Sequence, residues 1–285
     1  MDDGVPMAPA GDGVGEIYDS AFFQRLEDGT RQSARVAIPL IMELVGPASV
    51  VDVGCGTGSW VAEFRAHGVL EVLGLDGAWV PRPQLQIPDH LFVPTDLERD
   101  IVLERTFDIA ICLEVAEHLP PESAARLVAD VVRLAPVVVF SAAVPGQGGE
   151  HHVNEQWPSY WAALFASHGY AGFNDLRLRL WDRPDVDVWY RQNTLCYLSE
   201  ASQREHPQIA HRTDGGAMPI DLVHPEMFGR LARDRELKER YIQKLEIELQ
   251  EKKDEISRIR NSFLGRSYRA LRSTSALLGR KTIRS

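Results

Sequence analysis

Apolar and polar positions along the chain alternate between two periods. Short apolar runs fit strands at 49–53 (SVVDV), 71–76 (EVLGLD), 90–96 (HLFVPTD), 107–113 (FDIAICL), 137–142 (VVVFSA), 176–181 (LRLRLW) and 193–199 (NTLCYLS). Between them, helical spacing predicts helices over 31–45, 59–68, 121–134 and 156–170. Gly46-Pro47 is a plausible helix stop and Pro121 a helix start. Apolar strands alternating with helices indicate an α/β, Rossmann-like fold: a mostly parallel seven-stranded sheet covered on both faces. No helix is predicted between the last two strands. They are expected to form an antiparallel hairpin at the sheet edge.

The pattern divides the chain. Residues 1–15 are acidic, rich in Gly and Pro, and read as disordered. Residues 16–200 form the α/β domain and 201–224 a loose linker. Residues 225–263 are strongly helical. Ile242, Leu245, Leu249, Ile256, Ile259 and Phe263 fall on a 4-3 spacing broken by Lys252, with charges crowded between them. That is roughly three heptads of coiled coil, implying a homo-oligomer; the other reading is one solvated helix lying on the core. Residues 264–285 form a basic tail, since no acid follows Glu255. Its interleaved Leu264, Tyr268, Leu271, Leu277 and Leu278 can lie on an anionic membrane surface, at the inner face of the membrane. A soluble end that balances the acidic core is the alternative.

Composition narrows the classes. The chain has 285 residues, 44% of them hydrophobic and 25% charged, as in an ordinary soluble globular protein. A net charge of −10 makes nucleic acid an unlikely partner, because phosphates dominate that affinity. Cys55, Cys112 and Cys196 lie far apart, so neither a disulfide framework nor a cysteine zinc site is implied, and a cytoplasmic location is expected. The N-terminus lacks the pattern of a signal peptide, and no apolar run is long enough to span a membrane.

The chemistry begins at VVDVGCGTGSW, residues 50–60. Glycines at 54, 56 and 58 directly after a strand let backbone approach a ligand closely at the carboxyl edge of the sheet. Asp76 ends the second strand, where a carboxylate can accept both hydroxyls of a ribose; dinucleotide folds use that position too. Asp96 follows the third strand in PTDLE. The D-x-G-x-G-x-G spacing, Asp96 and the fourth strand FDIAICLEVAEHL resemble the motifs of class I S-adenosylmethionine-dependent methyltransferases. The resemblance implies S-adenosylmethionine as cofactor, held by Asp52, Gly54, Cys55, Gly56, Gly58, Asp76, Gly77, Asp96, Leu97 and Leu113. In that family the acid at Asp96 accepts the adenine amino group, and Leu97 packs on the ring or donates its N–H to it.

Glu114, Glu117 and His118 sit at the tip of the fourth strand in ICLEVAEHLPP. If the chain turns helically there, these positions share a face. Two carboxylates and an imidazole suit Mg²⁺ or Mn²⁺ more than structural zinc. The loop FSAAVPGQGGEHHVNEQW brings His151 and His152 to the same edge, where a further ligand can arise. The E-x-x-E-H cluster resembles metal-assisted O-methyltransferases of ubiquinone synthesis and of small-RNA 2′-ends. The resemblance implies Glu114, Glu117, His118 and His152 as metal ligands, with His152 and Glu114 as candidate catalytic groups. A metal-free site with His152 as general base stays open, as does a purely structural cluster.

PGQGGEHHVNEQWPSYWAALFASHGY and DVWYRQNTLCYL also resemble bacterial sugar O-methyltransferases acting on polysaccharides, implying a carbohydrate hydroxyl as acceptor. Trp157, Tyr160, Trp161, Trp189 and Tyr190 can offer flat apolar faces to sugar rings, beside Arg191, Gln192 and Asn193 as donors. Trp157 and one of Trp189 or Tyr190 are expected to be exposed. A methyltransferase of quinone precursors or other small molecules, an RNA 2′-O-methyltransferase and a non-catalytic coiled-coil scaffold remain as alternatives.

Overall fold

A computed structural model describes residues 20–210, 219–262 and 266–268. Residues 1–15, the coil position Phe263 and nearly all of the basic tail lie outside the described residues. The chain divides into two compact units, Met1–Phe228 and Gly229–Ser285.

In the first unit seven strands form one sheet in the order β3-β2-β1-β4-β5-β7-β6. They are β1 (Ser49–Val53), β2 (Glu71–Asp76), β3 (Phe92–Pro94), β4 (Ile109–Leu113), β5 (Val137–Ser141), β6 (Tyr170–Phe173) and β7 (Leu195–Ser199). β1 to β5 are parallel, and β7 runs antiparallel to both β5 and β6. Val53 pairs with Leu75 and Leu113 with Ser141, so the carboxyl ends of the parallel strands share one edge. Strand order reverses between β1 and β4, which opens a crevice at that edge.

Alternation along the strands feeds two cores. On one face Val50, Ile109, Ile111 and Val139 meet Ile38 and Ile41 of α1 (Ser20–Leu44), Phe64 of α2 (Ser59–Ala66) and Leu176 of α5 (Asp175–Leu180). On the other, Val51, Ala110, Cys112 and Phe140 meet Leu127 and Val131 of α3 (Ala124–Leu134) and Trp161 and Phe165 of α4 (Pro158–Ser167).

The edge hairpin differs from the sequence expectation. Residues 176–180 are helical, and the edge strand is Tyr170–Phe173, which shares only Tyr170 with the segment read as a helix. LRLRLW alternates like a strand, but burial of Leu176 and Leu180 on one helical face overrides that period. Asp175 pairs with Arg179 at 2.9 Å one turn on. Buried Arg177 donates to the carbonyls of Pro219, Ile220 and Gln192. In β6, a Cβ at Gly172 would come within 2.9 Å of the Tyr197 ring, so a residue that weakens strand propensity is the one that fits. Two helices, α5 and α6 (Val188–Asn193), separate β6 from β7.

The linker also differs. Within 201–224 the chain forms α7 (Glu200–Glu205), capped by Ser199, and α8 (Pro207–Ala210). Helix α9 runs unbroken over Pro225–Asn261. No described helix is long and apolar enough to cross a membrane.

Candidate active site

The glycine turn after β1 is built on left-handed backbone: φ is 83° at Gly54, 54° at Gly56 and 88° at Gly58. A Cβ at Gly54 would lie 2.3 Å from Val115, so the turn and the β4 tip touch only because that side chain is missing. The turn is tied to β2 by Asp76, whose carboxylate accepts the Gly56 N–H at 2.7 Å and the Gly77 N–H at 2.6 Å. Burial raises the Asp76 carboxyl above its usual range despite those two amides. Asp52 lies wholly inside β1. Burial and then the charge of Asp76 push it well up, and its Oδ2 meets no hydrogen-bond partner among the described residues.

Beyond the turn opens a cavity of about 430 Å³ lined by Gly54, Asp76, Trp79, Asp96, Leu97, Glu114 and His118, among others. Of the cofactor residues expected from sequence, Gly54, Asp76, Asp96 and Leu97 stand on its wall; Asp52, Cys55, Gly56, Gly58, Gly77 and Leu113 do not. These fit an adenosine with an attached amino acid: a carboxylate for hydroxyls, an apolar wall for a base, and bare backbone at the turn. Trp79 is the wall residue that sequence reasoning missed. It is 75% exposed, and its ring fills the space a Gly77 Cβ would occupy. Its place after Asp76 and a glycine was the available signal.

A second cavity, also about 430 Å³, is lined by Thr30, Glu114, Glu117, His118, Gln147, Gly148, Gly149, Glu150, His152 and Trp189. Glu114 and His118 line both cavities. The segment joining them is not the expected helical turn. Glu114 adopts φ 54°, and a single 3-10 turn covers Ala116–His118. A non-glycine residue held there stores strain at the junction.

The four expected ligands separate three to one. Ligand atoms of Glu117, His118 and His152 lie within 4.8 Å of one another. Glu114 is not in that group. Asn193 Nδ2 donates to its Oε1 at 3.1 Å and Gln147 Nε2 to its Oε2 at 3.0 Å. Gln192 Nε2 in turn donates to Asn193 Oδ1 at 2.9 Å, and the His224 N–H to Gln192 Oε1 at 2.8 Å. Asn193, expected to meet sugar, is therefore a buried structural partner of Glu114, and the buried Gln192, also expected to meet sugar, supports Asn193. Arg191 is likewise buried and pairs with Glu226.

The loop after β5 is stitched onto the 3-10 turn: the N–H groups of Val153 and Asn154 donate to the Glu117 carbonyl at 2.8 and 3.0 Å. This brings the His152 ring to 4.9 Å from that of His118, edge to face. His152 Nδ1 lies 3.0 Å from Glu155 Oε1, and the Gly146 and Gly148 amides donate to the same carboxylate at 2.7 Å each. With Nδ1–H donating to Glu155, Nε2 is left for a cation or a proton. Glu155 was not singled out in the sequence, because its role depends on loop geometry.

Electrostatics suit a cation. Glu117 is 0% exposed, and neither carboxylate oxygen makes a hydrogen bond of ordinary geometry. Burial, then the charge of Glu114, push its carboxyl well up, though the Glu117 and Ala143 amides ease it. Burial also raises Glu114. Burial and then His152 lower His118, which favours the neutral imidazole that can ligate. A bound divalent cation would relieve the like charges of this cluster.

Among the aromatics, Trp157 is exposed, Trp189 half-buried on the second cavity and Tyr190 buried against Trp60.

The model of a family described as a methyltransferase domain matches residues 29–180, over half of the chain. The chain belongs to this family. It is a class I S-adenosylmethionine-dependent methyltransferase. A sequence search of the curated proteins finds no match. Among solved structures, the methyltransferase is similar to the sugar N-methyltransferase KedS8 from Streptoalloteichus sp., at 20% identity over 70% of this chain and 98% of that one, TM-score 0.49. It is also similar to magnesium protoporphyrin IX methyltransferase from Synechocystis PCC 6803, at 16% identity over 65% and 97% of the two chains, TM-score 0.45. A third is the methyltransferase domain of bacterial CtHen1-C, at 15% identity over 60% and 98%, TM-score 0.44.

Proposed function

We propose that this methyltransferase transfers the methyl group of S-adenosylmethionine to a hydroxyl of a carbohydrate acceptor in polysaccharide assembly, with Mg²⁺ or Mn²⁺ held by Glu117, His118 and His152. The observation that carries the proposal is the meeting of two cavities at Glu114 and His118, with the Glu-His-His group at the junction. When bound, the cofactor supplies a sulfonium methyl and the cation lowers the pKa of a nearby hydroxyl.

The chain's own residues supply the rest. Asp76 accepts the cofactor's ribose hydroxyls, and Asp96 and Leu97 hold the adenine. Glu114, raised by burial and fixed by Asn193 and Gln147, takes the proton from the acceptor hydroxyl. Glu155 fixes the tautomer of His152. Trp189 offers a flat face to a sugar ring. Among the described residues no Lys or Arg lines the acceptor cavity, which favours a neutral acceptor over a phosphate-bearing RNA.

A second reading rests on the His152–Glu155 pair, which also suits a general base acting without a cation. The test is methyl transfer from labelled S-adenosylmethionine to neutral glycans, quinone precursors, other phenolics and RNA, each with and without EDTA. Label on a glycan, lost in EDTA, supports the proposal. Label on RNA or a phenolic alone contradicts its acceptor, and full activity in EDTA leaves His152 as the base.

A further inference from the structure

Helix α9 carries an apolar seam from Ile242 onward. In a single chain each seam residue is exposed: Ile242 54%, Leu245 44%, Leu249 54%, Ile256 56% and Ile259 61%. Their spacing is that of two helices supercoiling. On the same face nearer the helix start stand Arg235 and Lys238, so the apolar stretch begins at Ile242.

The charges beside the seam indicate what covers it. In heptad terms Ile242, Leu249 and Ile256 take position a, and Leu245, Lys252 and Ile259 position d. Glu248 and Glu255 then occupy g, and Glu246, Lys253 and Arg260 occupy e. When two copies run parallel and in register, each g faces the e of the next heptad in the other copy. Glu248 meets Lys253, and Glu255 meets Arg260, on both sides of the seam. Antiparallel pairing of the same seam opposes Glu248 to Glu255 and leaves only Glu246–Lys253 attractive within the apolar stretch. We propose that α9 pairs with α9 of a second copy of this chain as a parallel, in-register, two-stranded coiled coil. Lys252 sits in the seam and reaches Glu255 of its own helix at 2.9 Å. A two-stranded seam lets that ammonium stay in water, whereas wider bundles bury it.

Light scattering of the full chain should give a dimer. Glu248→Lys/Glu255→Lys makes every charged g–e pair repulsive and should weaken the dimer about tenfold or more. Mixing that variant with Lys253→Glu/Arg260→Glu should restore a heterodimer. An antiparallel coil would tolerate the first variant, because like charge replaces like charge. Leu249→Cys should oxidise to a disulfide with its own copy; the natural Cys55, Cys112 and Cys196 are buried. Cofactor binding and helix content by circular dichroism, unchanged in each variant, show that the fold is intact. A monomeric wild type overturns the proposal. So does an undiminished Glu→Lys dimer, or a Leu249→Cys chain that forms no disulfide with itself.

Discussion

The two cavities of the methyltransferase unit are equal in volume and unequal in construction. The side proposed for the cofactor rests on the Asp52–Gly58 turn, then Asp76 and Asp96 near successive strand tips. The acceptor side is assembled across the chain. Glu114 is held by Gln147 and Asn193, and His152 reaches Glu117 and His118 only because 153–154 are stitched to the 3-10 turn. The first can therefore be damaged at single positions with local effects on affinity, whereas the second should lose chemistry when its supports are removed.

The sharpest break in that comparison comes from the Glu-His-His group. Glu117→Ala or His118→Ala should lower kcat by ~10²-fold or more, through lost orientation and pKa lowering. Cofactor affinity by calorimetry should stay within about twofold. A parallel fall in affinity would mean that the two sides are one site.

On the cofactor side the expected loss is of binding. Asp76→Ala removes the acceptor for two hydroxyls and should cost roughly 1.5–3 kcal/mol, about 10–100-fold in affinity. Unchanged S-adenosylmethionine affinity would remove Asp76 from the ribose.

Asn193 tests whether the acceptor side depends on its supports. Asn193→Ala frees one arm of Glu114 and should reduce kcat about tenfold, at roughly 1–2 kcal/mol in stability. Stability loss with full kcat would make the clamp merely structural.

Asp52 is read through stability against pH rather than through activity. Asp52 has a folded-state pKa raised above its unfolded value, so the native state binds its proton more tightly than the unfolded chain does. Its contribution is present below the ordinary carboxylate range and is lost as pH rises through the raised folded pKa. Asp52→Asn should therefore stabilise the cofactor-free protein at neutral pH by about 1–3 kcal/mol, and the gain should grow with pH. A gain that shrinks with rising pH, seen in thermal melts, would contradict the buried-carboxyl account.

Most of the fold was legible in the sequence because β1, β4 and β5 are fully buried, mostly apolar strands flanked by clear helix signals. The glycine turn was legible because positive φ at Gly54, Gly56 and Gly58 demands that residue type. What escaped was set by tertiary contact. LRLRLW alternates like a strand, yet Leu176 and Leu180 bury one helical face, while the glycine-bearing β6 fits under Tyr197. Gln192 and Asn193 looked like ligand donors, and only the packed structure reveals Glu114 as the partner of Asn193 and Asn193 as that of Gln192. Glu155 gains its role from loop geometry that no spacing encodes.

Methyl transfer to an authentic glycan in EDTA, with cofactor binding measured in the same solution, decides whether the acceptor side works through a cation that the cofactor side does not need. The account predicts that transfer collapses by ~10²-fold or more and returns with Mg²⁺ or Mn²⁺, while S-adenosylmethionine affinity is unchanged. Full transfer in EDTA would contradict it.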